Sequence, residues 1–418
     1  MAKRKGLTRR DFLKSSAVTG GALTLAGSSV NLVAAEGSAT IGVGVVGCGK
    51  RGSAAARDCV KSAKGVKVVA LADAFQDHLA GLKTAFNVPR DRCFVGLDAY
   101  KKLTALDDVN LVILATPPAF RPVHFAEAVG KGKHVFMEAP VAICPTGVNM
   151  VIEASKKAAE KKLAVVAGTQ RRHDAAYVET MKRIHGGAIG EIVNASCHCN
   201  MGGREVYKRR SGQSGVEWQI RNWPYFRWLS GEQIVEQHVH NIDVINWAFN
   251  ALPEQVQGLA GRQHLSGPEY GNVYDHFGTE IAYPGDVRTI STCRRIEGTD
   301  ELIGELVFGT KGRSNCAGII EGEKPWRYQG AAPNAYVQEH ADLIKSIRDG
   351  KPLNEGRRAA ESTRTAIMLR ESGYSLRRFN RSWFEAKCKL NLLPPENLSL
   401  TGSRPVDPAP VPGRYKVG

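Results

Sequence analysis

Two groups of residues in this chain have the types and spacing for chemistry. The first is Gly47-Cys48-Gly49-Lys50-Arg51-Gly52, which follows the apolar run 41–46 and opens an alanine-rich stretch at 53–57. Gly47 permits a tight turn, Gly49 lets backbone N–H groups approach a pyrophosphate, and Gly52 lets helix and strand pack closely. A helix that starts there offers unpaired N–H groups and partial positive charge to phosphates. Asp73 ends the next apolar run, 66–72, where a carboxylate can accept hydrogen bonds from an adenosine ribose. Strand, glycine loop, helix, strand and acid in that order spell a dinucleotide site. Asp73 favours NAD because it repels a 2′-phosphate, while Lys50 and Arg51 keep NADP open.

The second group is Glu236, His238, His240 and Asp243. A hydride leaves a carbinol carbon only as the hydroxyl proton is taken, and histidine is the usual base near neutrality. The surrounding pattern predicts one helix over 232–249. On it Glu236 and His240 lie four apart and Asp243 three further on, so all three share a face. A carboxylate beside the imidazole would fix its tautomer and raise its basicity. His238 is a second candidate, with a plain packed histidine as the alternative.

Further candidates surround these two. Thr116 and Pro117 follow the apolar run 110–115, and the carboxyl ends of such strands form a ligand crevice. Arg171 follows the strand expected at 163–167 and has a forked donor for sugar hydroxyls or a carboxylate. Tyr177, on the next helix, is either a proton donor or a packing residue. Trp223 and Arg227 lie in an Arg-, Trp- and Tyr-rich insertion over 203–229, a composition suited to sugar C–H faces and hydroxyls. Alternation through Tyr274-Asp275-His276 puts Tyr274 and His276 on one face, which makes His276 an acid/base candidate. Cys197 and Cys199 flank His198 but read as one face of a strand, and no metal site is expected.

These residues need a scaffold. Strands are expected at 41–46, 66–72, 110–115, 133–138 and 163–167, and helices at 52–63, 76–86, 119–130 and 146–161. Their alternation predicts an α/β fold with a parallel, doubly wound Rossmann sheet over 36–165. From 166 to 385 the pattern predicts a substrate-binding and oligomerisation α/β domain. Its strands near 191–201, 254–264, 272–283, 287–296 and 301–309 form a large, mostly antiparallel open sheet. Helices are expected at 174–185, 334–348 and 356–373. Residues 386–418, with Pro394-Pro395 and prolines from 405 to 412, read as an extended arm.

Residues 1–35 read as a twin-arginine export signal. Arg9-Arg10 precede a weakly apolar stretch and Val33-Ala34-Ala35 resembles a small-residue cleavage site. That signal predicts a periplasmic or otherwise exported protein, folded before transport, with no stable membrane span once the signal is cleaved. The formal charge of +16 is scattered and includes +5 from residues 1–35. No basic run interleaves with aromatics, so nucleic acid is not an expected partner. The nine cysteines are odd in number and widely spaced, unlike a disulfide framework.

Taken together the chain resembles the Gfo/Idh/MocA family of nicotinamide-dependent oxidoreductases. The residues that carry the resemblance are the glycine loop, Asp73, Thr116-Pro117 with His124, residues 132–140 with Glu138, residues 187–192, and Glu236/His240/Asp243. The resemblance implies a bound NAD, with NADP not excluded, and a Rossmann domain followed by an α/β domain whose open sheet covers the active site. It implies His240 as base with Glu236 as substrate or imidazole partner, a small-molecule or oligosaccharide substrate, and a homodimer or homotetramer. The family usually carries Glu-Lys-Pro at 138–140, and its lysine polarises the reacting carbonyl. Here the residue is Ala139. Three readings stay open: a sugar or polyol oxidoreductase with tightly held, internally recycled NAD; a glycosidase or lyase using transient oxidation and elimination; and a catalytically silent nucleotide- and sugar-binding protein.

Overall fold

The computed structural model describes residues 40–418. The expected export signal lies outside the described residues. β1 (Ile41–Val46), α1 (Lys50–Ser62), β2 (Val66–Asp73), α2 (Gln76–Phe86), β3 (Cys93–Val95), α3 (Ala99–Thr104), β4 (Leu111–Leu114), α4 (Arg121–Gly130), β5 (His134–Glu138), α5 (Pro145–Glu160) and β6 (Val165–Gly168) alternate along the chain. Their strands form a six-stranded parallel sheet in the order β3-β2-β1-β4-β5-β6. Every residue of β1 and β4 is buried, because helices cover both faces of the sheet. The strand order reverses between β1 and β4, the switch point outside which ligands bind in such sheets.

α6 (Ala175–His185) leads to β7 (Ile192–Met201). The long connection that follows carries α7 (Gly215–Arg221), α8 (Arg227–Ser230), α9 (Gln233–Glu236) and α10 (Val239–Phe249). Then come β8 (Gln255–Gly261), β9 (His276–Tyr283), β10 (Val287–Arg295), β11 (Leu302–Gly309), β12 (Gly312–Ser314), β13 (Ile319–Gly322) and β14 (Trp326–Arg327). Two helices follow, α11 (Ala335–Arg348) and α12 (Gly356–Ser375), then β15 (Phe379–Asn380) and α13 (Arg381–Lys387). The second sheet has nine strands in the order β14-β13-β12-β11-β7-β10-β9-β8-β15, and only β7 and β10 pair in parallel. Ala195, Cys197 and Cys199 alternate inward on β7 under the helices, so both cysteines pack in the core. The other face of the sheet leaves Leu259, Ile290 and Val193 exposed at 70%, 55% and 53%.

The two halves share their boundary. The segment between α11 and α12 returns to the first sheet, where Val165 N–H donates to Leu353 and Glu355 N–H donates back to Val165. Leu343 and Ile344 of α11 join the core around β1. Residues after α13 have no regular structure but are pinned to the body. Tyr415 donates to Glu371, and Pro410 accepts from the Tyr274 hydroxyl. Among the described residues no helix is long and apolar enough to cross a membrane.

Two local expectations are corrected. The helix expected over 232–249 breaks into α9 and α10 around Gln237. Gln233 fastens the first turn to the second sheet through the carbonyls of Cys199 and Arg294, and His238 turns inward. The strand expected from 272 starts at His276, because Asp275 accepts three backbone N–H groups from residues 263–265 and holds the preceding chain in a turn.

Candidate functional site

The glycine loop joins β1 to α1 at the switch point. Gly47 has φ +91°, and a Cβ there would lie 2.6 Å from the Thr116 nitrogen. A Cβ on Gly52 would lie 1.8 Å from the Gly47 oxygen, so only glycine lets α1 approach this closely. A Cβ on Gly49 would meet nothing within 4 Å, and no side chain caps the start of α1. The helix therefore opens its first N–H groups toward a cavity of about 740 Å³. At the end of β2, the Asp73 carboxylate accepts from Cys48 N–H at 2.7 Å and Phe75 N–H at 2.9 Å, and faces His78 Nδ1 at 3.1 Å. The hydrogen bond to Asp73 raises the His78 pKa. Uncapped helix, bare loop and buried carboxylate together fit a dinucleotide.

The neighbouring predicted residues line the same cavity but have partners of their own. Lys50 bonds Glu205 at 2.6 Å, and Arg51 bonds Glu138 at 2.6 Å and lies over the Tyr336 ring. Arg51, committed to the buried Glu138, offers little to a 2′-phosphate. Thr116 Oγ1 lies 3.3 Å from His124 Nδ1, and that imidazole stacks on Tyr100 and Phe120. Burial, then Arg121, pushes His124 down to about 3, so it is neutral at any ordinary pH. Pro117 and Trp223 also line the cavity, and Arg204 lies over the Trp223 ring.

The second group is arranged differently from its helical spacing. Glu236 does not bond His240; it is clamped by Arg204 at 2.9 Å and Arg295 at 3.2 Å. Burial raises its pKa, but the two arginines outweigh that and hold it at about 2. Asp243 accepts from Arg172, Arg358 and Ser362, which hold it well below the usual carboxylate range against the opposing effect of burial. His238 is fully buried, bonded to Ser291 at 2.8 Å, and serves the core of the second sheet. His240 is partly buried with no partner for its Nδ1. Burial, then Arg171, lowers it to about 4, and Arg51 of the glycine-loop helix acts in the same direction. A neutral imidazole therefore lies within electrostatic reach of both domains.

Arg171 and Tyr177 converge on a residue the sequence did not single out. Glu305 of β11 is bonded by Arg171, by Asn241 Nδ2 at 2.7 Å and by the Tyr177 hydroxyl at 3.3 Å. Its carboxylate is buried, which raises its pKa, as burial also does for Tyr177. The available signal was an acid in register with the inward Val307 of an otherwise apolar strand. Arg121 was also missed: fully buried, it joins the two crevice loops by donating to the carbonyls of Thr116 and Pro140. His173 bridges Asp342 and Glu355 where the domains meet, and these carboxylates outweigh burial and lift it to about 9.

Two expected substrate residues lie elsewhere. Arg227 sits over the Tyr374 and Tyr415 rings and anchors the C-terminal arm. His276 is at the exposed end of β9, paired with Asp275 at 2.6 Å, while Tyr274 is buried. The two do not share a face because the strand begins only at His276.

Comparison with known proteins agrees with this geometry. Residues 41–169 match the model of an oxidoreductase family with an NAD-binding Rossmann fold, and NAD is the cofactor of that domain. Residues 177–314 match the GFO/IDH/MocA C-terminal domain. Residues 6–26 match a twin-arginine translocation signal sequence, which directs export and is consistent with a periplasmic location. The chain is 26% identical over 227 residues to 2,7-anhydro-N-acetylneuraminate hydratase of Escherichia coli, covering 54% of this chain and 56% of that protein. It is 27% identical over 240 residues to an inositol 2-dehydrogenase/D-chiro-inositol 3-dehydrogenase of Shouchella clausii, covering 55% and 61%. The matches thus span little more than half of these relatives' length. Among solved structures, the aldose-aldose oxidoreductase of Caulobacter crescentus superposes with TM-score 0.66 at 16% identity, covering 82% of this chain and 99% of that one. Scyllo-inositol dehydrogenase of Lactobacillus casei, solved with NAD(H) and scyllo-inositol, gives 0.64 at 18%, with 82% and 99% covered. At these identities the structural likeness is one of fold.

Proposed function

We propose that this chain, which belongs to the Gfo/Idh/MocA oxidoreductase family, is an exported nicotinamide-dependent oxidoreductase that acts on a sugar, polyol or glycoside and keeps its NAD in one site through repeated turnovers. The observation that carries the reading is a dinucleotide cavity linked, through Arg204 that lines it and clamps Glu236, to the segment bearing His240, a neutral imidazole with no partner on its Nδ1. Held by the glycine loop, the start of α1 and Asp73, an NAD would supply a reversible hydride acceptor for a carbinol carbon. The His240 imidazole takes the hydroxyl proton as the hydride departs and gives it back on return. Ala139 offers no ammonium, so polarisation of the carbonyl falls to other donors, and Arg171 and the Tyr177 hydroxyl, both held on Glu305, are assigned that part. Asp243 and Glu236 act through position: their arginine clamps fix the two ends of the broken helix around His240.

The export signal supports the cofactor half of the reading. Outside the cytoplasm an enzyme that released reduced nicotinamide at each turnover would have no pool with which to exchange it. Similarity to an aldose-aldose oxidoreductase fits coupled oxidation and reduction within one site. Similarity to an anhydro-sugar hydratase supports a second reading, in which transient oxidation acidifies the neighbouring C–H, a substituent is eliminated, water adds and the hydride is returned to the oxidised carbon. The exposed apolar face around Leu259 and Ile290 supports assembly of like chains across the second sheet.

The test is turnover of the purified protein, without added cofactor, on inositols, aldoses and glycosides deuterated at the carbinol carbon or at its neighbour. Label passed to a second sugar, with no net NADH, supports recycling. Solvent exchange at the neighbouring carbon supports elimination. Steady NADH release on added NAD would leave an ordinary dehydrogenase. No turnover on any of them, with nucleotide bound, would leave only a binding protein.

A further inference from the structure

The wall of the dinucleotide cavity opposite the glycine loop comes from the other domain. Residues between β7 and α8 reach the loop through the Lys50–Glu205 pair, and Arg204, Glu205, Tyr207, Ile220, Arg221 and Trp223 line the same cavity as Gly49 and Asp73. This segment is braced on itself. Trp218 Nε1 donates to the Tyr207 carbonyl at 2.8 Å, the Tyr225 hydroxyl to the Arg204 carbonyl at 2.7 Å, and Tyr207 N–H to Asn222 at 3.0 Å. Its apolar side chains Val216, Trp218 and Ile220 form one cluster with Phe75, the second residue after Asp73, and with Leu398 and Leu400 of the C-terminal arm.

Two fastenings tie it to the Rossmann domain. Lys50 meets Glu205 at 2.6 Å with side chains 88% and 54% exposed, a geometry that contributes little on its own. Arg221 is the stronger one. Its guanidinium grips Asp77 of α2 with two bonds, 2.9 and 3.0 Å, is oriented by Glu217 at 3.0 Å, and lies 3.8 Å from the centre of the Phe75 ring. A planar fork held by two carboxylates and stacked on an aromatic face is fixed in three directions.

We propose that residues 204–224 are a clasp over the adenosine and pyrophosphate half of the bound dinucleotide, closed by Arg221 on Asp77 and Phe75. This inference rests on the reading of the cavity as a retained NAD site and specifies how retention is achieved. Adenosine leaving past Asp73 must displace Arg221 and uncouple Phe75 from the aromatic cluster of the second domain. Such a clasp closes as the two domains fold together, which suits a chain that is exported already folded.

The experiment loads the full-length protein with NADH, mixes it with excess NAD, and follows the loss of bound-NADH fluorescence. Changes within one site act mainly on dissociation, so Arg221→Ala and Asp77→Ala should each speed release by about tenfold or more. Arg221→Lys, which keeps charge and loses the fork, should show a smaller rise, and Glu205→Gln the smallest. Thermal melting confirms that each variant is folded; if Arg221→Ala is not, Asp77→Ala and Arg221→Lys decide. Release at the wild-type rate from Asp77→Ala and Arg221→Lys would overturn the clasp. The wild-type rate separates the two ideas: fast release from the wild type, faster still from the variants, keeps the clasp and defeats retention through turnover. Slow release from all of them keeps retention and defeats the clasp.

Discussion

The glycine loop and the surroundings of His240 follow opposite electrostatic plans. At the glycine loop, recognition is built from backbone: uncapped N–H groups of α1, a loop without side chains at Gly47 and Gly49, and one carboxylate, Asp73, that orders the loop through Cys48 N–H. Around His240, side chains do everything, and every nearby carboxylate is already compensated by arginine. Glu236 has Arg204 and Arg295, Asp243 has Arg172 and Arg358, and Glu305 has Arg171. The first region is prepared for an anionic ligand. The second sets five arginines against three carboxylates and leaves the His240 imidazole uncharged, with no partner on its Nδ1. Arg204 touches both regions, since it lines the cavity and clamps Glu236.

The sharpest way to break this contrast is to remove the imidazole. His240→Ala should lower kcat by about 10²–10⁴-fold, the usual worth of a positioned base, and leave nucleotide affinity unchanged. Equal activity in that variant would move the base elsewhere, with Tyr177 next to be tested. Asp243→Leu should be next in size. It leaves Arg172 and Arg358 buried without their carboxylate, and breaking such a pair costs about 3–5 kcal/mol, read as a lower melting temperature. Unchanged stability would mean that the arginine clamps do not hold the junction.

Proton dependence sharpens the same comparison with smaller effects. His240 is depressed to about 4, so kcat/KM should stay level down to mildly acid pH and fall only as pH drops through about 4. An acid limb near the ordinary histidine value would show that the imidazole is more exposed than its surroundings imply. His173 shifts the other way, to about 9. Its stabilising contribution is complete below its unfolded value of about 6.5 and is lost as pH rises through 9. In His173→Gln the fall in melting temperature over that window should flatten; an identical slope would remove His173 from the domain contact.

The contrast also explains what could be read from sequence. Glycine positions dictate backbone paths directly, so the loop, the parallel sheet and Asp73 followed from spacing alone. The open second sheet followed from alternation, as Ala195, Cys197 and Cys199 illustrate. The histidine region did not. The spacing of Glu236, His240 and Asp243 predicts a shared helical face, but Gln233 ties the first turn to the sheet and breaks the helix at Gln237. The partners that decide each carboxylate's role, Arg295, Arg358 and Arg171, come from distant elements, and no local pattern announces them. His276 and Arg227 were misplaced for related reasons: an unseen turn at Asp275, and a C-terminal arm whose Tyr415 claims the arginine.

Retention of a nicotinamide dinucleotide by the exported protein is open to direct measurement. The mature protein is purified without added cofactor, denatured, and the supernatant analysed for NAD and NADH. A nicotinamide dinucleotide released in near-stoichiometric amount is the expected result. A protein that folds and turns over substrate but releases none would contradict it.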